Sequence, residues 1–168
     1  MKNPFNFLVI LLLLYACSSN PDQDTSQNEQ TQPETPPQDE NTAMIEEGKG
    51  IGEVTNVPLT DPLNEEMIAR GKAIYEMKCS ACHKLTDQRV VGPGWQGITN
   101  NRRPEWIMNM ITNVDIMLEE DPEAQKLLEE CLTRMPNQNV SVGDARNLLE
   151  YMRQNDMEKV GQKDQAAG

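Results

Sequence analysis

Five consecutive residues carry the clearest chemical signal in the chain: Cys79-Ser80-Ala81-Cys82-His83. Two thiols separated by two residues, and followed at once by the only histidine of the sequence, have the spacing that attaches a c-type haem. The thiols would form two thioether bonds to the haem edge, and the imidazole would reach the iron from one face. The pattern therefore predicts one covalently bound haem c.

Three alternatives use the same residues. A structural zinc site needs four protein ligands, and outside the motif only Cys17 and Cys131 remain as thiols. A thioredoxin-like motif needs a βαβ setting, and no alternating β-rich runs flank this segment. A plain disulfide or a chance match is the third alternative. Haem attachment is the interpretation that we carry forward.

The second iron ligand must be something other than histidine, because His83 is used once and has no counterpart. Ten methionines are available, including the initiator, and most lie at helical spacings that are typical of core packing. Met135 instead lies in an irregular stretch, where Pro136 biases it toward an extended conformation. We predict His83 and Met135 as the iron ligands, with Met117 as the main competitor.

Other residues are expected around the haem. A backbone carbonyl of the Gly-rich loop 91–97 should accept a hydrogen bond from the second ring nitrogen of His83. Trp95 and Trp106 are candidate donors to a haem propionate, and Arg102 or Arg103 would offset its charge.

Cys131 remains after haem attachment and the lipidation of Cys17 that is argued below. It falls on the apolar face of a predicted helix, so we expect a buried, inert thiol. An intermolecular disulfide and a redox or ligand role are the alternatives.

Four helices should position these residues. The first opens at Asp61-Pro62 or at Asn64 and runs to about residue 78, and the second has Pro104 in its first turn. The third begins at Asp121 and the fourth at Ser141. No strand pattern of useful length appears, so the sequence predicts an all-α domain over residues 61–157, followed by a disordered tail over 158–168.

The amino terminus has the pattern of an export signal. Lys2 precedes an apolar run over residues 5–14, and the quartet that ends at Cys17 resembles the lipobox of bacterial lipoproteins. We predict a signal peptide over 1–16 and a lipid on Cys17, with an uncleaved anchor or an ordinary signal peptide as alternatives. The domain would be exported and anchored to the membrane facing the periplasm. Ser18, which is not Asp, favours the outer membrane over the inner one.

Residues 17–60 are predicted to be a lipidated, acidic, disordered tether. Between residues 18 and 61 the sequence has ten acidic side chains and one lysine, and few apolar residues precede Ile45. The formal charge of −12 for the whole chain argues against nucleic acid as a partner. We expect a monomer that exchanges electrons with a protein donor and a protein acceptor.

The motifs together resemble class I cytochromes c over residues 62–155. Gly92-Pro93 with Gly97 resembles the loop in that family whose Pro carbonyl accepts the histidine hydrogen bond, and Met135-Pro136 resembles its sixth-ligand segment. The resemblance implies four to five helices around the haem and a crossed-helix contact formed by four residues: Gly71, Tyr75, Leu148 and Tyr151. Residues 97–135 are also similar to small lipoprotein cytochromes found alongside nitrous oxide reductase, which implies a donor to a periplasmic denitrification enzyme.

These observations predict an electron carrier and not an enzyme, because His/Met ligation fills both axial positions of the iron. A haem-based sensor of small ligands or a peroxidase-like domain is the first alternative. A haem subunit of a terminal oxidase is the second.

Overall fold

A computed structural model describes residues 38–161 of the 168-residue chain. Within this range the secondary structure consists of helices, and the only β-type contact is an isolated antiparallel bridge between His83 and Arg89. The all-α class is therefore confirmed. The elements are α1 Gln38–Glu46, α2 Glu65–Ile74, a π-helical turn Tyr75–Cys79, α3 Ile98–Asn101, α4 Pro104–Thr112, α5 Val114–Glu120, α6 Pro122–Cys131 and α7 Val142–Val160.

The predicted helix starts are confirmed by their capping contacts. Asn64 Oδ1 accepts a hydrogen bond from the Met67 N–H at 3.0 Å, and Asp121 Oδ1 accepts one from the Ala124 N–H at 2.8 Å. Ser141 Oγ caps α7 in the same way, and Pro104 occupies the first turn of α4. The four predicted helices correspond to α2, α4, α6 and α7, and the structure adds α1, α3 and α5 to them.

The first and last helices of the predicted domain cross at Gly71. A Cβ atom at this position would lie 2.1 Å from the backbone oxygen of Asn147 and 2.9 Å from Tyr151 Cβ. Only a glycine lets α2 and α7 approach so closely. The Tyr75 and Tyr151 rings lie 5.7 Å apart, so the crossed-helix contact contains the residues that the resemblance implied.

Residues 49–57, here called the N-terminal strap, lie before the predicted boundary between tether and domain at residue 60, yet they belong to the fold. Ile51, Val54 and Val57 are buried in the main apolar core with residues of α4, α5 and α7. Their spacing in a glycine-rich stretch has neither a helical nor a strand period, which is why the sequence indicated a tether. The folded part of the chain thus includes residues well before position 61.

Side chains of α4 and α5 bind the backbone of the strap. Asn109 accepts from the Val54 N–H at 3.1 Å and donates to the carbonyls of Val54 and Lys49 at 3.0 and 3.1 Å. Glu105 Oε1 accepts from the Val57 N–H, and Met117 Sδ accepts from the Ile51 N–H at 3.0 Å. These contacts satisfy backbone groups that burial removes from water.

The other boundary also differs from the prediction. Helix α7 continues to Val160 and ends at Gly161, which has a left-handed conformation with φ +68°. The disordered tail predicted from residue 158 is therefore wrong for residues 158–160, which are helical. The signal peptide and Cys17 lie outside the described residues. Among residues 38–161 no helix is long and apolar enough to cross a membrane.

Candidate functional site

The Cys-x-x-Cys-His segment begins where α2 widens into the π-helical turn. The Ser80 N–H donates to the Tyr75 carbonyl five residues earlier, and the N–H groups of Cys82 and His83 both donate to the Cys79 carbonyl. Such turns are frequent at functional sites because they redirect the side chains that follow. The turn places three reactive groups on one short stretch of backbone.

Cys79 and Cys82 are both free thiols. Burial raises the pKa of the Cys79 thiol to about 11, an effect that nearby Lys78 opposes and Cys82 reinforces. The Cys79 thiol is therefore protonated at neutral pH. Within residues 38–161 no three His, Cys, Asp or Glu side chains are grouped to hold a metal ion.

The His83 ring has a fixed orientation. Its Nδ1 lies 2.9 Å from the Pro93 carbonyl oxygen, which accepts the hydrogen bond expected from the loop 91–97. Burial lowers the pKa of His83, although the hydrogen bond to Pro93 acts in the opposite direction. The ring is thus neutral, and with Nδ1–H engaged its Nε2 is left as the nitrogen for a metal.

Aromatic rings and a glycine enclose this imidazole. Trp95 stacks on His83 with ring centroids 5.3 Å apart, and the Tyr75 hydroxyl donates to the His83 carbonyl oxygen at 2.9 Å. A Cβ atom at Gly92 would lie 2.4 Å from His83 Cε1, so the loop can pass under the ring only as glycine. Together these contacts prevent the ring from turning away from the cavity beside it.

An apolar cavity of about 380 Å³ lies against His83. The attachment segment, the loop 91–97, α4, α6 and the chain that follows α6 form most of its wall, and Ile98 of α3, Leu118 of α5 and Met152 of α7 complete it. The lining residues that matter most for the argument are Cys82, His83, Pro93, Trp95, Trp106, Cys131 and Met135. The structure therefore brings most of the predicted site residues to one cavity, although Cys79 and Arg103 are not among its lining residues.

The methionines fall into two groups by their position relative to this cavity. Met135, Met110 and Met152 line it, whereas Met117 does not. The Met117 side chain is fully buried on the strap side of the core, where its sulfur accepts the Ile51 N–H. Met135 is the lining methionine that lies outside a helix, as its sequence context predicts.

Comparison with known proteins shows which family this chain belongs to. The Cytochrome c family profile matches residues 68–156, about half of the chain. The chain belongs to the cytochrome c family. Among solved structures, cytochrome c from Rhodothermus marinus is 31% identical and superposes with a TM-score of 0.64 over 70% of this chain and 98% of that one. This coverage includes residues outside 68–156.

Two structures of an engineered Rhodothermus marinus cytochrome c, Rma TDE, are also similar. The first is 32% identical with a TM-score of 0.62, and the second, bound to a carbene intermediate, is 31% identical with a TM-score of 0.59. Both alignments cover 68% of this chain and 96% of the other. Comparison with curated proteins gave no match.

Cytochromes c bind haem c covalently, and the residues of this cytochrome c fit that group. Two unpaired thiols lie at the required spacing, a neutral imidazole is oriented by Pro93, and Gly92 leaves room under the ring. Asn100, two residues after the cavity-lining Ile98, buries both polar atoms of its amide without a hydrogen-bond partner in the described structure. Cys79, Cys82 and His83 would hold the haem, with Met135 as the second iron ligand.

Two of the predicted haem contacts take other positions in this cytochrome c. Trp106 lines the cavity, but its indole N–H donates to Asp121 Oδ1 at 3.1 Å and so is not free for a propionate. Arg103 is not among the cavity-lining residues; its half-exposed side chain lies 3.5 Å from Glu105. Arg102 stacks on the Trp106 ring at 4.7 Å and pairs with Glu123.

Cys131 differs from the expectation of a fully buried thiol. It is the last residue of α6, it is partly exposed, and it lines the cavity. Arg89 Nη1 lies 3.3 Å from its sulfur. The sequence does not indicate the role of Arg89, because a contact between residues 42 positions apart leaves no local pattern.

Proposed function

We propose that this protein is a one-electron carrier whose iron is held between His83 and Met135. The observation that carries the proposal is the cavity itself, which combines an oriented neutral imidazole with a thioether from an irregular segment. With both axial positions filled by the chain, no position is left for a substrate. The haem would supply the ferric and ferrous states between which an electron is exchanged.

The cavity wall supports a carrier with a raised reduction potential. Its lining is mostly apolar and includes Trp95, Trp106 and residues of α4 and α6. An apolar surrounding disfavours the additional positive charge of ferric iron, and a methionine ligand acts in the same direction. The stacking of Trp95 and the hydrogen bond to Pro93 hold the His83 ring in one orientation.

Optical and redox spectroscopy of the matured full-length protein tests this proposal. We expect a low-spin ferric spectrum with a methionine–iron charge-transfer band, a reversible one-electron titration and slow binding of added imidazole. A high-spin ferric protein that binds cyanide or peroxide rapidly would contradict the carrier and support a sensor or peroxidase-like domain.

We propose further that the carrier is exported, lipid-anchored through Cys17 and facing the periplasm, with the outer membrane favoured. The support is the short apolar run over residues 5–14 and the lipobox-like quartet that precedes Ser18. Labelling with a radioactive fatty acid should mark the wild-type protein and not Cys17→Ser. Density-gradient separation of the two membranes then tests the outer-membrane assignment.

The electron acceptor that we propose is a periplasmic denitrification enzyme such as nitrous oxide reductase. The support is the similarity of residues 97–135 to small lipoprotein cytochromes found with that enzyme. Stopped-flow reoxidation of the reduced, monomeric carrier should be fast with the reductase and slow with a terminal oxidase. The opposite order of rates would overturn the assignment of this partner.

A further inference from the structure

We propose that Arg89 and Lys78 are positioning residues for Met135. Residues 132–140, here called the Met135 loop, join α6 to α7, and the two cationic side chains tie opposite ends of this loop to the segment that carries Cys79 and His83. The inference rests on the proposed function, because it assumes that Met135 binds the iron. It assigns to these two residues control over how often the methionine leaves the metal.

Arg89 ties the beginning of the loop. Its backbone pairs with that of His83 in the isolated antiparallel bridge. Its guanidinium donates through Nη1 to the Glu130 carbonyl at 3.0 Å and to Cys131 Sγ at 3.3 Å, and through Nη2 to Glu130 Oε2 at 3.1 Å. One residue thus connects the backbone of the histidine ligand with the last turn of α6, immediately before the loop.

Lys78 ties the end of the loop. It lies in the π-helical turn, directly before Cys79, and its Nζ donates to the Gln138 carbonyl at 2.8 Å. The contact joins residues that are 60 positions apart. Because Cys79 is a predicted attachment residue, this bond links the far side of the Met135 loop to the same five-residue segment.

The loop needs such ties because its own structure is irregular. Leu132 opens it in a left-handed conformation, φ +56°, with 88% of its side chain exposed. Inside the loop, the Gln138 and Asn139 contacts with Pro136 and Asn137 are local and hold no other element. Arg134 adds an exposed contact with Asp115 and Glu119 of α5, which holds the loop at one point between its two ends.

Removing a tie should shift the equilibrium between methionine-bound and methionine-free iron. Added imidazole competes with Met135 for ferric iron, so its apparent affinity reports the methionine-free fraction. These contacts lie at the exposed surface, so the loss of one set should raise that affinity by about 2- to 5-fold. The methionine–iron charge-transfer band should weaken in parallel.

The test compares four variants of the matured, full-length protein. Arg89→Met and Lys78→Met remove one charged head each and keep an apolar stem. Arg89→Lys keeps the charge but loses the planar fork, so it should give a smaller rise in imidazole affinity. Arg70→Met is the matched control, because Arg70 is an exposed cation that pairs with Glu66 within α2.

Each outcome supports or overturns the inference. Two results together support it. The wild-type protein shows the charge-transfer band, and Arg89→Met and Lys78→Met bind imidazole more tightly than Arg70→Met. Unchanged imidazole affinity in those variants, even with a lowered melting temperature, shows a merely structural role and overturns this inference alone. A wild-type protein without the band contradicts the proposed function as well. If Arg89→Met does not accumulate, Arg89→Lys and Lys78→Met decide the question.

Discussion

Met117 and Met135 carry the same thioether, yet their sulfurs have different surroundings. Met117 Sδ accepts a hydrogen bond from the strap at Ile51, whereas Met135 lines the cavity beside His83. The sequence favours Met135 because Pro136 follows it in an irregular stretch. It cannot exclude Met117, whose partner is 66 positions away in a segment with the composition of a tether.

Replacing each methionine by alanine should therefore have different consequences. Met135→Ala should lose the methionine–iron charge-transfer band and bind imidazole readily. Met117→Ala should keep the band but lose about 2–5 kcal/mol of unfolding free energy, because it empties a buried site. Near-infrared spectra and guanidinium unfolding measure the two effects. Loss of the band in Met117→Ala and its retention in Met135→Ala would reverse the ligand assignment.

The haem-contact residues show where prediction from residue type stops. Trp106 and Arg103 are reasonable propionate partners by chemistry, but Asp121 accepts the indole N–H and Glu105 lies beside the guanidinium. Glu105 is two positions from Arg103, so that pair could have been considered from the sequence alone. Asp121 is 15 positions from Trp106, and no local pattern shows that it accepts the indole N–H.

At the scale of elements, local signals predicted more. The caps at Asn64, Asp121 and Ser141 were read correctly because each is satisfied within three residues of chain. The strap was missed because its backbone is bound by side chains of α4 and α5, more than 45 positions away. Elements whose stabilising contacts lie close together in the sequence could be predicted, and the strap, whose contacts are distant in the sequence, could not.

The close crossing of α2 and α7 predicts that a methyl group added at Gly71 destabilises the fold. Gly71→Ala should lower the unfolding free energy by about 1–3 kcal/mol, because its Cβ would overlap the Asn147 backbone oxygen. Gly143→Ala is the matched control: the nearest atom to its Cβ is 4.0 Å away, and alanine should stabilise α7 by up to about 1 kcal/mol. Thermal unfolding of both variants should give shifts of opposite sign. Equal shifts would contradict the close crossing.

The hydrogen bonds of Asn109 to the strap also contribute to the unfolding free energy. Asn109→Ala removes one acceptor and two donor contacts, which leaves the buried N–H and carbonyl of Val54 and the partly buried carbonyl of Lys49 without these partners. We expect a loss of at least about 2 kcal/mol in unfolding free energy, with faster amide hydrogen exchange at Val54. Asn101→Ala, which removes a single local bond to Gly97, should have a smaller effect. Unchanged exchange at Val54 would argue against the strap contacts.

At the scale of the whole molecule, a buried charge network joins the segment before α2 to α7. Glu150 is fully buried and pairs with Arg146 and Arg153 of α7. The two arginines also donate to the carbonyls of Pro58 and Thr60, and Glu150 accepts the Asn64 N–H at 2.9 Å. The network thus holds the segment before α2 against the last helix.

This network predicts how stability depends on pH. Burial by itself would raise the pKa of Glu150, but the Asn64 N–H, Arg146 and Arg153 outweigh it and lower that pKa below its ordinary value of 4.5. A lowered folded-state pKa means that Glu150 stabilises the fold above about pH 5 and that this contribution is lost as the pH falls through the lowered pKa.

Glu150→Gln tests the sign of this effect. The variant should be less stable than wild type at pH 7 by about 3–5 kcal/mol, since Arg146 and Arg153 lose the buried carboxylate that pairs with both. Its unfolding free energy should fall less steeply below pH 5. Glu158→Gln, an exposed change on the same helix, should keep the wild-type pH dependence. Parallel pH profiles for Glu150→Gln and wild type would contradict the assignment.

The start of α1 at Gln38 would limit how far the proposed carrier can travel. About twenty residues would separate α1 from the lipid proposed on Cys17, instead of the forty or so of the predicted tether. Twenty residues span at most about 70 Å when fully extended. A carrier on so short a tether would deliver electrons only within a thin layer next to its membrane. Its acceptor would therefore have to enter that layer.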